Sequence, residues 1–245
     1  MVSAIRTSIL AALAVGMTAR AFAQAADLPK WELVRDVPGK VRVKVTNTLD
    51  RSITAVMVRD TVTNGSSNQP VRFGFSIMDS TYGPTYSLKP GETFVTPFAF
   101  GDWSADPRTG APGGPFKHEF ALVAVATDAP DVRGDAGFAL VIKQRRKALY
   151  DVLTAYVGLM DRYKTAQVAA DDLVADFEGL STSLVAKASN NEEKESCARE
   201  AKNIEEGLRS FQKQTGKNVL TPADISFLRK PYETRRAKVA EGLIP

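Results

Sequence analysis

The chain has 245 residues, with 32 basic and 28 acidic side chains, 44% hydrophobic and 24% charged. These proportions suit a folded globular protein with enough apolar side chain for a core, and the small positive balance gives no argument for nucleic acid. One histidine and one cysteine argue against the usual zinc ligand sets and rule out an internal disulfide.

Residues 1–25, MVSAIRTSILAALAVGMTARAFAQA, read as a secretory signal peptide. Arg6 supplies the positive start, Ile9 to Val15 is an apolar run too short to span a bilayer, and Ala21-Phe22-Ala23 or Ala23-Gln24-Ala25 offers small residues at cleavage spacing. The expected setting is secreted or periplasmic, with no transmembrane anchor once the signal is removed.

Residues 26–134 are expected to form an antiparallel β-sandwich. VRVKVTN (41–47) alternates, with Val41, Val43 and Val45 on one face. Leu49 to Ser52 is a polar turn, and ITAVMVRDTV (53–62) is β-branched enough for a central strand. Asn64-Gly65 is a hairpin pair. VRFGFSIM (71–78) alternates through Phe73, Phe75 and Ile77. Pro90-Gly91 presets a turn, because proline fixes φ at the second turn position and glycine accepts positive φ at the third. HEFALVAVATD (118–128) is apolar on both faces, with Phe120, Leu122, Ala124 and Ala126 opposite Ala121, Val123 and Val125. That pattern marks a buried strand.

Between the strand that the Pro90-Gly91 turn feeds, within LKPGETFVTPF (88–98), and the 118–128 strand lies GDWSADPRTGAPGGPFKH (101–118), a long connection. Its glycines resemble a phosphate cradle, but Pro112 and Pro115 remove backbone donors and no P-loop lysine follows. Trp103 can stack on a sugar, and Asp102 and Asp106 can act as paired carboxylates. With Arg108 and His118, these residues form the candidate contact site for a ligand or partner, a glycan among them. The alternative is a plain connection between strands.

The periodicity changes near Asp135, and residues 135–245 are expected to be helical. Steps of three and four run through Leu149, Val152, Tyr156, Leu159, Tyr163, Ala166, Ala170, Leu173, Phe177, Leu180 and Leu184. This seam predicts one long helix over 136–188, roughly 80 Å at ~1.5 Å per residue. A break near Lys164–Gln167 is the alternative, since Ala166 and Ala170 are weak seam residues. The clusters KQRRK (143–147) and RKPYETRRAK (229–238) are expected on solvated faces. Asn191 is expected to cap a second helix from Glu192, whose apolar stripe of Cys197, Ala201, Ile204, Leu208 and Phe211 folds back on the first. Gly216 is a stop, Thr221-Pro222 a cap with proline at the first helical position, and Pro231 the start or kink of a last segment.

Other constellations are weaker. Asp128, Asp131 and Asp135 offer hard oxygens without calcium-loop spacing, and Asp135 is better explained as a helix cap. Arg133-Gly134-Asp135 spells an adhesion tripeptide short enough to arise by chance. Gly74-Phe75-Ser76-Ile77-Met78 lacks the second glycine of a nucleophile elbow, and Cys197 is expected to be a buried thiol. No cofactor is expected.

NTLDRSITAVMV (47–58) and LKPGETF (88–94) resemble strands of uncharacterised exported bacterial proteins with an immunoglobulin-like sandwich. The resemblance covers residues 40–130 and implies a fold and an exported setting. It brings no catalytic residue. The function expected is a non-catalytic interaction or structural module that binds a protein partner or self-associates. The alternative is a carbohydrate-binding or carbohydrate-active protein working through the 101–118 loop.

Overall fold

A computed structural model describes residues 28–37, 40–64, 70–81, 87–97, 100–101, 116–129 and 131–243. The signal-peptide segment, the Gly65 half of the hairpin pair and loop residues 102–115 lie outside these. The chain is mixed α+β, with antiparallel sheets in its N-terminal part and helices after them.

The strands are β1 (Lys30–Val37), β2 (Lys40–Thr46), β3 (Ile53–Asn64), β4 (Pro70–Asp79), β5 (Thr93–Val95), β6 (Phe100–Gly101), β7 (Phe116–Thr127) and β8 (Val132–Gly134). They make two four-stranded sheets. In one, β2 pairs with β1, β5 and β6; the other runs β4-β3-β7-β8, with β3 central as its composition predicts. Val43 and Val45 of β2 join Ile53, Val56, Val58, Leu122 and Val125 in one buried cluster, so the two sheets share apolar side chains. The Pro90-Gly91 turn forms as expected: Gly91 has φ 81 and the Glu92 N–H donates to the Lys89 carbonyl at 3.0 Å.

The alternation of β7 departs from the simple reading. Register shifts by one between Met57 and Val58, because Met57 faces Ala124 while Val58 faces Leu122. Val123 is the extra residue. Leu122 and Val125 therefore point between the sheets, whereas Val123, Ala124 and Ala126 join the opposite cluster with Ile142. Both faces are buried, but the bulge exchanges which residues occupy them.

The helices are α1 (Ala136–Tyr163), α2 (Ala170–Lys187), α3 (Asn191–Thr215) and α4 (Pro222–Glu241), and α1 and α2 replace the single long helix expected over 136–188. At 28 residues, α1 is about 42 Å long, half the span expected. The break falls at Lys164–Gln167, because Val168–Ala169 (β9) pairs with Val219–Leu220 (β10) and the Ala170 N–H donates to the Asn218 carbonyl at 2.9 Å. The seam nonetheless stays buried on both sides of the break: Leu149, Val152, Tyr156, Leu159, Ala170, Leu173 and Phe177 share one core with Cys197, Ala201, Ile204 and Leu208 of α3. Ala166 is exposed.

Asp135 caps α1, its carboxylate accepting from the Gly137 and Phe138 N–H groups at 2.9 and 3.3 Å. The cap of α3 is Asn190 rather than Asn191; its side chain accepts from Glu193 N–H at 2.9 Å. Gly216, at φ 66, ends α3, and Thr221 with Asp224 forms a reciprocal capping box on α4. Pro231 neither starts nor ends an element, since α4 runs through it. Among the described residues no helix is long and apolar enough to cross a membrane.

Candidate functional site

The sheets and helices meet around one strand end. Asp79 closes β4, opposite Ala55 in register, and its Oδ1 accepts from the Thr81 N–H at 2.9 Å and the Thr81 hydroxyl at 2.7 Å. Arg146 approaches from α1 and grips the same carboxylate twice, Nε to Oδ2 at 2.8 Å and Nη2 to Oδ1 at 3.1 Å. Nη2 also donates to the Thr54 hydroxyl at 3.0 Å, and Nη1 to the Gly242 carbonyl at 3.5 Å. The two side chains are 3% and 1% exposed. From α4, Arg235 donates to the Thr81 carbonyl at 2.7 Å and to the buried Glu200 of α3 at 3.3 Å, and Lys238 reaches the Ser80 carbonyl at 3.4 Å. Three cations from two helices thus hold the last residue of β4 and the two that follow it.

This is the main correction to the charge reading. Within KQRRK, Arg146 is buried, not solvated. The sequence carried a signal for it: Ile142, Arg146, Leu149 and Leu153 follow four-three-four spacing, so the arginine falls on the stripe that α1 buries. Its partner lies 67 residues earlier, and no local pattern joins the two. In 229–238, Arg235 likewise turns inward onto Glu200.

Two hollows flank Arg146. A cleft of about 590 Å³ is lined by Val132, Leu140, Lys143, Gln144, Arg146, Lys147, Glu193, Gly242 and Leu243. That volume is within the range of small-ligand sites. A smaller hollow of about 180 Å³ lies between Thr54, Ser80, Thr81, Thr127, Lys238 and Glu241, with Arg146 and Gly242 common to both. At the cleft, Lys147 lies 3.0 Å from Asp151 and 3.9 Å from Glu193, and its hydrogen bond to Asp151 holds the ammonium above its ordinary range. Glu193 also accepts from the Ser189 N–H at 2.9 Å, and Arg145 pairs with Glu192 at 3.0 Å. Lys143 is exposed on the same face, with no ion pair among the described residues. Asp79, Asp151, Glu192, Glu193 and Glu200 are thus each occupied by a cation or a backbone N–H, which suits a fixed binding surface better than proton transfer.

The thiol of Cys197 is buried, as expected, with Sγ 3.9 Å from the Ala148 carbonyl, and burial pushes its pKa up, away from the reactive thiolate. Asp131 is taken by Arg133 at 2.6 Å and Asp135 by its capping role; among the described residues no three His, Cys, Asp or Glu side chains gather as metal ligands.

Of the site residues expected from sequence, Asp102, Trp103, Asp106 and Arg108 lie outside the described residues. His118 belongs to β7, opposite Val62, because the strand begins at Phe116, two residues before the expected loop ends. No protein-family model, curated protein or solved structure matches the chain.

Proposed function

We propose that this is an exported, non-catalytic binding module, secreted or periplasmic, with a signal peptide over 1–25, an immunoglobulin-like sandwich over 26–134 and a helical body over 135–245. It holds a protein partner or a second copy of itself. The observation that carries this reading is the junction cleft, lined by Val132, Leu140 and Leu243 together with Lys143 and Lys147, on a scaffold fixed by the Asp79–Arg146 pair. Concave apolar surface with a few oriented charges is what binding sites present, and the paired acids leave the cleft without a poised general base.

The test uses the chain beginning at Ala26. Sedimentation velocity reads self-association, and immobilised protein reads retention from the exported fraction of the cell. Association or retention should be lost in Lys143→Glu/Lys147→Glu. A monomer that retains nothing, or retention unchanged by the double substitution, overturns the reading.

A further inference from the structure

Beside the cleft, β8 is the edge of its sheet. It pairs with β7 through Val132–Ala126, Arg133–Val125 and Gly134–Ala124, and among the described residues no strand pairs with its other side. The direction of its backbone groups follows from the bonds that flank it. The Thr127 N–H donates to the Asp131 carbonyl at 3.0 Å, and the Asp135 N–H donates to the Val123 carbonyl at 2.8 Å. Antiparallel ladders alternate, so residues 131, 133 and 135 turn their polar groups toward β7, while Val132 and Gly134 turn theirs away. Gly134 is exposed and Val132 lines the cleft. The open edge and the lysine-rimmed cleft are therefore one continuous surface, with Leu140 half-exposed between them and Lys143 one turn further along α1.

We propose that this surface takes an extended acidic peptide of a partner protein, which adds as a strand to β8. Its backbone bonds Val132 and Gly134, alternate apolar side chains rest on Leu140 and Leu243, and a carboxylate meets Lys143. Backbone pairing at an open edge gives affinity and flanking pockets give side-chain preference. The charge fits because Arg146 is already neutralised by Asp79 and Lys147 is engaged by Asp151 and Glu193, so Lys143 supplies the surplus positive charge. The proposal rests on the binding-module reading and gives it a ligand class.

The probe is the fluorescein-labelled hexapeptide Ser-Thr-Val-Thr-Val-Asp with a free C-terminus, titrated by fluorescence anisotropy against the full mature chain. Saturable binding is expected, weakened about tenfold or more by N-methylation of alternate probe amides, since each lost hydrogen bond is worth on the order of 1 kcal/mol. Val132→Pro removes one outward N–H and no ladder bond, so the far-ultraviolet spectrum should stay native while binding falls to a similar extent. Lys143→Glu should weaken the acidic probe and spare its Asn, C-terminally amidated counterpart. Binding indifferent to Val132→Pro would locate the probe elsewhere, at another sheet edge such as β4, and overturns the proposal. So does binding indifferent to N-methylation, or an edge closed by a second copy, seen as probe release on raising protein concentration. Partner retention that survives Val132→Pro but not Lys143→Glu/Lys147→Glu would remove this inference and leave the module reading intact.

Discussion

Arg146 and Asp79 should be far more costly to lose singly than together. Arg146→Met leaves the Asp79 carboxylate, at 1% exposure, with two hydrogen bonds from Thr81 and no countercharge. Removing one partner of such a buried pair costs about 3–5 kcal/mol. Asp79→Asn leaves a guanidinium at 3% exposure with no countercharge, only the amide oxygen, the Thr54 hydroxyl and the Gly242 carbonyl, the last two at 3.0 and 3.5 Å, remaining to accept from it, and it also falls in the ~3–5 kcal/mol class. The double variant carries no buried charge, and the amide oxygen introduced by Asp79→Asn would still accept from the Thr81 N–H. What it loses is the bond to Thr54, on the order of 1 kcal/mol, so it should cost about 1–2 kcal/mol. The coupling between the sites is then about 4–9 kcal/mol, a large share of the ~5–15 kcal/mol that a domain has. Urea unfolding of the wild type, both singles and the double at neutral pH measures all four corners, with m-values checked for constancy. Singles costing under about 1 kcal/mol, or a double as costly as their sum, would refute the claim that this pair is dry and mutually dependent.

Tyr156 is fully buried in the helical core, packed edge-on against Phe177 with centroids at 5.5 Å, and its hydroxyl has no hydrogen-bond partner among the described residues. Tyr156→Phe should therefore raise stability by about 1 kcal/mol, read as a higher urea midpoint; a clear loss would mean that the hydroxyl is satisfied. Gly134 sits at φ +112, with the Val123 carbonyl oxygen well inside contact distance of the place a Cβ would occupy. Gly134→Ala should cost about 2–3 kcal/mol or more through backbone strain and displacement of β7, and a thermal midpoint within a degree or two of wild type would contradict that geometry. Asp224 is held at a pKa of about 2 by bonds from Lys217 and Thr221. Because the folded value is depressed, its stabilisation is present above the unfolded value near 4 and is lost as pH falls from there toward 2. Asp224→Asn should flatten that part of the thermal midpoint profile, and a profile unchanged by the substitution would remove the box as its source.

Much of the fold was legible because the signals are local. The alternating valines of β2, the Pro90-Gly91 turn, the Asp135 and Thr221 caps and the Gly216 stop each depend on residues within a few positions of one another. The departures share a different cause. The helix breaks at Lys164–Gln167 because Val168–Ala169 pairs with a ribbon partner fifty residues later, and the heptad phase resumes on the far side with Ala170, Leu173 and Phe177 buried. The β7 bulge depends on how β3 registers against it, which neither strand's own alternation records. The junction was hidden for the same reason. Arg146 announces itself as a charge on an apolar stripe, but the carboxylate that makes its burial tolerable comes from a strand in the other half of the chain.

That distance in sequence also bears on how the halves depend on each other. The change of periodicity near Asp135 does separate strands from helices, yet Ile142 belongs to the same apolar cluster as Met57 and Ala124, with Phe138 and Val141 packed beside it, and Asp79, Ser80 and Thr81 are held from α1 and α4. An expressed helical half, residues 136–245, would keep the core built on Leu149, Tyr156 and Phe177, so circular dichroism should still report helix. It would also expose Ile142 and leave Arg146 without its carboxylate. The first turns of α1 should therefore exchange their amide hydrogens much faster in the fragment than in the whole protein, while the turns around Tyr156 stay protected. Those first turns carry Leu140 and Lys143, so the geometry of the cleft is set by the sheet as much as by the helix. Uniform protection along α1 in the fragment would show that the helix orders itself, and that the Asp79–Arg146 pair joins two bodies already formed.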